Sequence, residues 1–164
     1  MTAAALEQTT GILVLGIGNT LLSDEGVGVL AMKALAERLR DRAGIEFMDG
    51  GTLSFTLAGS IAEHGGLVVI DAAEMGAAPG RVDVFVGEDM DRFLGSNRKR
   101  SVHEVALIDL LAIALLEDYL PQQRALIAIQ PGLVDWGDSL SPPVAAALDE
   151  VCDRAQQLIE SWQA

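Results

Sequence analysis

Short apolar runs and helical apolar stripes alternate along this chain, and that alternation predicts its architecture. Residues 11–17 (GILVLGI) form an apolar run with several β-branched positions, as expected of a strand covered on both faces. Leu30, Ala34, Leu35 and Leu39 then share one helical stripe, with Ser23 or Asp24 placed to cap its start. Residues 45–48 predict a second strand, 52–63 a helix and 67–70 a third, wholly apolar strand, which makes βαβαβ. The link from Asp71 to a fourth strand at 81–86 is about nine residues around Gly76, Pro79 and Gly80. It is too short for a helical crossover, so that strand is expected to run antiparallel. Residues 88–100 read as a return across the sheet at ~3.3 Å per residue. Ser101-Val102-His103-Glu104 fits the S-x-x-E capping box and opens a long apolar helix to about Tyr119. Pro121 stops it, and 125–129 predicts a fifth strand. Ser141-Pro142 opens a last helix with Val144, Leu148, Val151, Ala155, Leu158 and Trp162 on its stripe. The expectation is an α/β three-layer sandwich: a five-stranded, mostly parallel twisted sheet with one antiparallel strand, and helices on both faces. Residues 1–164 read as one domain, with residues 1–10 as a frayed tail.

Composition narrows the function. The 164 residues carry 11 Lys plus Arg against 24 Asp plus Glu, a net charge of −13. Such a charge repels phosphate backbones, so nucleic acid is a poor partner. Charged residues interrupt the chain too often for a membrane span of ~20 apolar residues, and the opening MTAAALEQTT lacks the pattern of a secretion signal. The single cysteine, Cys152, closes no internal bridge and builds no Cys-based zinc cluster, which suits a reducing, cytoplasmic setting.

In an open α/β sheet, ligands bind at the carboxyl ends of the parallel strands. Arriving at that edge are Asn19, Asp24 and Glu25 after the first strand, Asp49 with Gly50 and Gly51 after the second, and Asp71 after the third. His103 at a helix start and Gln130 after the fifth strand complete the set. Each has an ordinary reading alone: Glu25 as a first-turn acid, Asp49 as a turn residue, Gln130 as a strand-end cap, His103 as a lone capping histidine. Asp71 is the least ordinary, because it ends the apolar run Leu67-Val68-Val69-Ile70, where a carboxylate needs a cation or a proton. At a helix's positive end, His103 is favoured as neutral imidazole and is therefore a metal-ligand candidate. Two carboxylates and one imidazole suit nickel, zinc or iron. His64, beside Gly65-Gly66, reads instead as a helix C-terminal cap.

Other chemistries lack their motifs. Gly16-Ile17-Gly18-Asn19-Thr20-Leu21 has no third dinucleotide-loop glycine, and Gly26-Val27-Gly28-Val29-Leu30-Ala31 has the spacing but falls within a helix. Leu107 stands where a zincin needs its second histidine, and no G-x-S-x-G elbow is present. Cys152 lies beside an apolar stripe, where burial is favoured over nucleophilic attack. Arg98-Lys99-Arg100 reads as a solvated loop or as a device steering an acidic part of a partner, and Trp136 as core packing or an aromatic anchor.

The block from Gly16 to Val29 (GIGNTLLSDEGVGV), Asp49-Gly-Gly-Thr52, Val69-Ile-Asp71 and His103 together resemble the hydrogenase maturation endopeptidases over nearly the whole chain. That resemblance implies removal of a C-terminal extension from the [NiFe]-hydrogenase large-subunit precursor after nickel insertion. It implies Glu25, Asp71 and His103 as metal-contacting residues, with nickel carried by the precursor rather than held by the free protein. Asp49 is implied as a further functional carboxylate, so that Asp49, Asp71 and Glu25 are the catalytic candidates of an aspartyl-type protease. Whether nickel polarises the scissile carbonyl or only positions it while a carboxylate activates water stays open. Ser54 departs from the family, many members having glycine there. The rival expectation is a nickel-binding accessory protein or chaperone that docks on the same precursor without cutting it; a hydrolase of small amides with its own metal is a second.

Overall fold

The structure, a computed structural model, describes residues 9–51, 57–96 and 102–164, with backbone alone for residues 9, 10 and 102–105. In chain order the elements are β1 (Thr9–Ile17), a 3-10 turn (Ser23–Gly26), α1 (Val27–Arg38), β2 (Ile45–Gly51), α2 (Leu57–Glu63) and β3 (His64–Ala72). There follow β4 (Val82–Val86), α3 (Glu88–Ser96), α4 (Val102–Leu116), β5 (Gln123–Ile129), α5 (Pro142–Ala146) and α6 (Leu148–Gln163). The strands form one sheet in the order β2-β1-β3-β5-β4. The pairings of β1 with β2 and β3, and of β3 with β5, are parallel, while β4 runs antiparallel to β5, as the short 73–81 link requires.

Strand alternation divides the core into two layers. Ile12, Val14, Val68 and Ile70 pack with Met32 and Leu35 of α1 and Val151 and Ala155 of α6. Leu13, Leu15, Leu67 and Val69 pack with Ile61 of α2, Leu94 of α3, and Leu107 and Leu110 of α4. At roughly 1.5–3 kcal/mol for each fully buried aliphatic side chain, these layers supply the main drive to fold. No helix among the described residues is long and apolar enough to cross a membrane.

Several expectations change. Residues 88–96, expected as an extended return, are α3: Glu88, Asp89 and Asp91 favour its first turn, while Met90, Phe93 and Leu94 supply an apolar face at helical spacing. The last helix is broken at Ala147 into α5 and α6, with Cys152 and Ile159 buried beside the expected stripe. Ala34 is exposed, because α1 turns Val27, Ala31, Met32 and Leu35 inward onto the sheet, beside α6 in the same layer. Strand β1 begins at Thr9, inside the expected tail; residues 1–8, the 52–56 part of the second helix, Ser101 of the capping box and the Arg98-Lys99-Arg100 cluster lie outside the described residues.

Two local contacts determine how the carboxyl edge is built. The first is the seat of α1. A Cβ on Gly28 would lie 2.2 Å from the Ile70 carbonyl oxygen and 2.3 Å from that of Ile17, so the helix start rests backbone to backbone on the ends of β1 and β3. The chain reaches that seat through Gly18, at φ +136, where a Cβ would lie 1.9 Å from the Glu25 carbonyl oxygen.

The second contact is Asp24. It caps nothing: the residue before α1 is Gly26, with no side-chain cap. The Asp24 carboxylate is instead fully buried and accepts bonds from the amides of Gly132 (2.9 Å), Leu133 (2.7 Å) and Ser141 (2.7 Å), and from the Ser141 hydroxyl (2.7 Å). It therefore ties the turn after β1 to the loop after β5. Burial pushes its pKa up, but the donors from Leu133, Ser141 and Gly132 outweigh that and hold it below the usual carboxylate value. No local pattern announces this role, since the partners lie 108 to 117 residues away.

Gly28→Ala is expected to lower stability by about 3 kcal/mol or more, because the obstructing atoms are backbone carbonyls; chemical denaturation reads the loss. Asp24→Asn puts amide hydrogens against backbone donors and is expected to lower the melting temperature by about 5–10 °C at pH 7. A carboxylate whose folded pKa is depressed stabilises above its unfolded pKa, and that contribution is lost as pH falls through the folded value. The gap between wild type and Asp24→Asn should therefore narrow as the pH is lowered below about 4, as scanning calorimetry across that range will record.

Candidate active site

Asp71 is the eighth residue of β3 and sits inside the strand rather than after it, with only 3% of its surface exposed. Its register partner is Ala128 on β5. Along β3, Val69 and Ala73 face the layer built with α2, α3 and α4, and strand alternation sends Asp71 to the same side. The 3-10 turn carrying Glu25 packs against β3, brought there by the seating of Gly28 on Ile70. Glu25 is half-buried, and both Glu25 and Asp71 are engaged in interactions within the fold. The segments that carry the two acids are thus packed together at the carboxyl edge.

His103 is the second residue of α4, in its first turn; its side chain lies outside the described residues. The backbone still places it. Helix α4 ends a few residues before β5 starts, at the amino end of the sheet, and Leu107 and Leu110 bind it to the layer that Asp71 faces. Fifteen residues of helix span ~22 Å, long enough to cross this layer from one edge of the sheet to the other. Among the described residues no group of three His, Cys, Asp or Glu side chains is placed to hold a metal ion.

Asp49 stands apart from this group. Gly16 pairs with Asp49 on one side and with Ile70 on the other, and registered neighbours in a parallel sheet project to the same face. Ile70 points among the α1 and α6 residues, so Asp49 is on that face and Asp71 on the opposite one. Asp49 is exposed, and its Oδ1 accepts the Gly51 amide at 2.8 Å. It opens into a cavity of about 300 Å³ shared with Gly18, Asn19, Thr20, Leu21 and Val29. The Thr52 and Ser54 positions that follow lie outside the described residues.

Gln130, 3% exposed, organises the chain after Asp71. Its Oε1 accepts the Met75 amide at 2.7 Å and the Ala77 amide at 3.3 Å, and its Nε2 donates to Glu74 at 3.1 Å. A strand-end glutamine is therefore what gives the loop following Asp71 its shape. Asn19 similarly shapes the loop after β1, its Oδ1 accepting the Leu21 amide at 2.9 Å. His64 begins β3 and caps α2, its Nδ1 against the Ser60 carbonyl and its Nε2 2.8 Å from Glu46, at the end of β3 remote from Asp71.

Cys152 is 3% exposed, lies against the Ala31 carbonyl in the α1–α6 layer, and has its thiol pKa pushed up chiefly by burial. It is no nucleophile. Trp136 is not core: 78% of it is exposed.

Comparison with known proteins identifies the family. The family model described as hydrogenase maturation protease matches residues 29–158. The hydrogenase expression/formation protein HupM of Azotobacter chroococcum mcd 1 is 40% identical over 139 residues, covering 84% of this chain, and this chain spans 66%, about two thirds, of that relative's length. Among solved structures, the hydrogenase maturating endopeptidase HybD from E. coli superimposes with a TM-score of 0.82 at 29% identity, covering 92% of this chain and 93% of that one. The [NiFe] hydrogenase maturation protease HybD from Thermococcus kodakarensis gives a TM-score of 0.77 at 31% identity, covering 90% and 98%. The chain belongs to the hydrogenase maturation protease family, and so to the peptidases.

Proposed function

We propose that this chain removes the C-terminal extension of a [NiFe]-hydrogenase large-subunit precursor, and that it recognises the nickel already seated in that substrate through Glu25, Asp71 and His103. The observation that carries the reading is Asp71, a carboxylate 3% exposed at the carboxyl end of β3, with the Glu25 turn packed against the same strand. A buried carboxylate of this kind is poised to meet a cation, and a cation arriving with the substrate makes recognition depend on completed metal insertion.

Nickel held by the precursor supplies Lewis-acid character near the scissile peptide. The protein's own part is to bind that centre and hold the peptide at the carboxyl edge. Of the candidate catalytic acids, Asp71 and Glu25 share the rim below α4, so one of them takes the proton of the attacking water and returns it to the leaving amine. Asp49, on the other face beside its cavity, receives an adjoining part of the substrate. Hydrolysis by carboxylates and water is consistent with the inaccessible Cys152 thiol. Reaction in the cytoplasm, supported by the single unbridged cysteine, is part of the same proposal.

Nickel-loaded and nickel-free precursor, each incubated with the protein and weighed by mass spectrometry, test the reading. Loss of a C-terminal peptide from the loaded form alone is expected. Equal cleavage of both refutes nickel recognition, and a stable complex of unchanged mass assigns the chain as a non-cleaving nickel accessory protein or chaperone. Asp71→Asn should lower kcat/KM on loaded precursor by about 100-fold or more with the fold intact by circular dichroism; a loss under threefold removes Asp71 from the reaction.

A further inference from the structure

Four large apolar side chains stand exposed beside the rim: Leu21 at 59%, Leu133 at 50%, Val134 at 56% and Trp136 at 78%. They come from two loops far apart in sequence, joined through the backbone. The Gly137 amide donates to the Leu21 carbonyl at 3.0 Å, the Ser23 amide to the Gly137 carbonyl at 2.9 Å, and the Asp24 amide to the Leu133 carbonyl at 3.0 Å. The Ser23 hydroxyl donates to the Asp135 carbonyl at 2.9 Å, and Ser23 holds φ +52. Beneath them the buried Asp24 carboxylate accepts its four bonds. A buried charge thus immobilises a stretch, 132–139, that is exposed at every residue. Surface loops with no partner need no such clamp, whereas an apolar platform held in its binding shape spares the ordering entropy of association.

We infer that Leu21, Leu133, Val134 and Trp136 form a preorganised docking surface for an apolar, Lys- or Arg-bearing segment of the protein substrate; this rests on the peptidase reading above. Continuity with the site supports it, because Leu21 also lines the Asp49 cavity and so joins the platform to the rim. Charge selects the occupant. Exposed Asp135 and Asp138 bracket Trp136, exposed Asp49 lies beyond Leu21, and the chain carries a net −13. A second copy would bring like charges face to face, while a basic apolar segment meets complementary ones. Trp136 is the anchor, a rigid aromatic offering large contact area at small entropic cost.

The test measures steady-state cleavage of nickel-loaded large-subunit precursor. Trp136→Ala is expected to raise KM about tenfold while leaving kcat within twofold, Leu133→Ser to do so less, and Asp135→Asn with Asp138→Asn to raise KM severalfold at low salt but little at high salt. The emission of Trp136, taken as the difference between wild type and Trp136→Phe, is expected to shift to the blue on mixing with precursor. An unchanged KM for Trp136→Ala with normal cleavage overturns the docking surface and leaves the peptidase reading intact. If wild type cleaves nothing, the peptidase reading falls and the emission decides the surface: a shift upholds it, no shift overturns it. A dimer in sedimentation that Trp136→Ala dissolves, with KM unaltered, assigns the patch to self-association and overturns the proposal.

Discussion

The carboxyl edge of this protein depends on one steric requirement: the first turn of α1 must lie directly on the ends of β1 and β3. Any side chain at Gly28 would enter the carbonyls of Ile17 and Ile70, so the contact exists only with backbone on both sides. Close seating draws the Glu25 turn down onto β3, where Asp71 ends the apolar part of the strand. Had the helix stood off by the width of a methyl group, the Glu25 turn would be lifted from β3. Packing and chemistry are here the same contact.

Around that seat the edge divides in two. The sheet places Asp71 on the α4 side and Asp49 on the α1 side, the latter with a cavity and an apolar, acid-rimmed platform beyond it. A peptide crossing the rim would meet both. Asp24, between the halves, joins the turn after β1 to the loop after β5, so that the platform's geometry is coupled to the turn that carries Glu25. In the proposed reaction, substrate recognition and the positioning of the acids would share one rigid unit.

Much of this was legible from residue order. The antiparallel β4 followed from a link too short to cross, and the two-layer core from runs such as Leu67-Val68-Val69-Ile70 that left no polar face. Family kinship followed from the Gly16 to Val29 block, the Asp49-Gly-Gly-Thr52 motif, Asp71 and His103. What escaped was long-range. Asp24 looked like a helix cap because its local context, an acid before an apolar stripe, is that of a cap; its partners come from a loop more than a hundred residues later. Helix α3 was readable from Met90, Phe93 and Leu94, but the expectation of an extended return obscured it. The separation of Asp49 from Asp71 needed the register of Asp49 with Gly16 and of Gly16 with Ile70, which no local pattern encodes.

In the proposed recognition, Glu25, Asp71 and His103 grip a nickel ion that the substrate brings. X-ray absorption at the nickel edge, recorded on loaded precursor alone and in complex with a slow Asp71→Asn variant and with wild type trapped before cleavage, addresses it most directly. Nickel recognition by these residues requires added oxygen and nitrogen ligands in the wild-type complex and fewer in the variant. An unaltered nickel spectrum in a complex that still goes on to release its C-terminal peptide would contradict it.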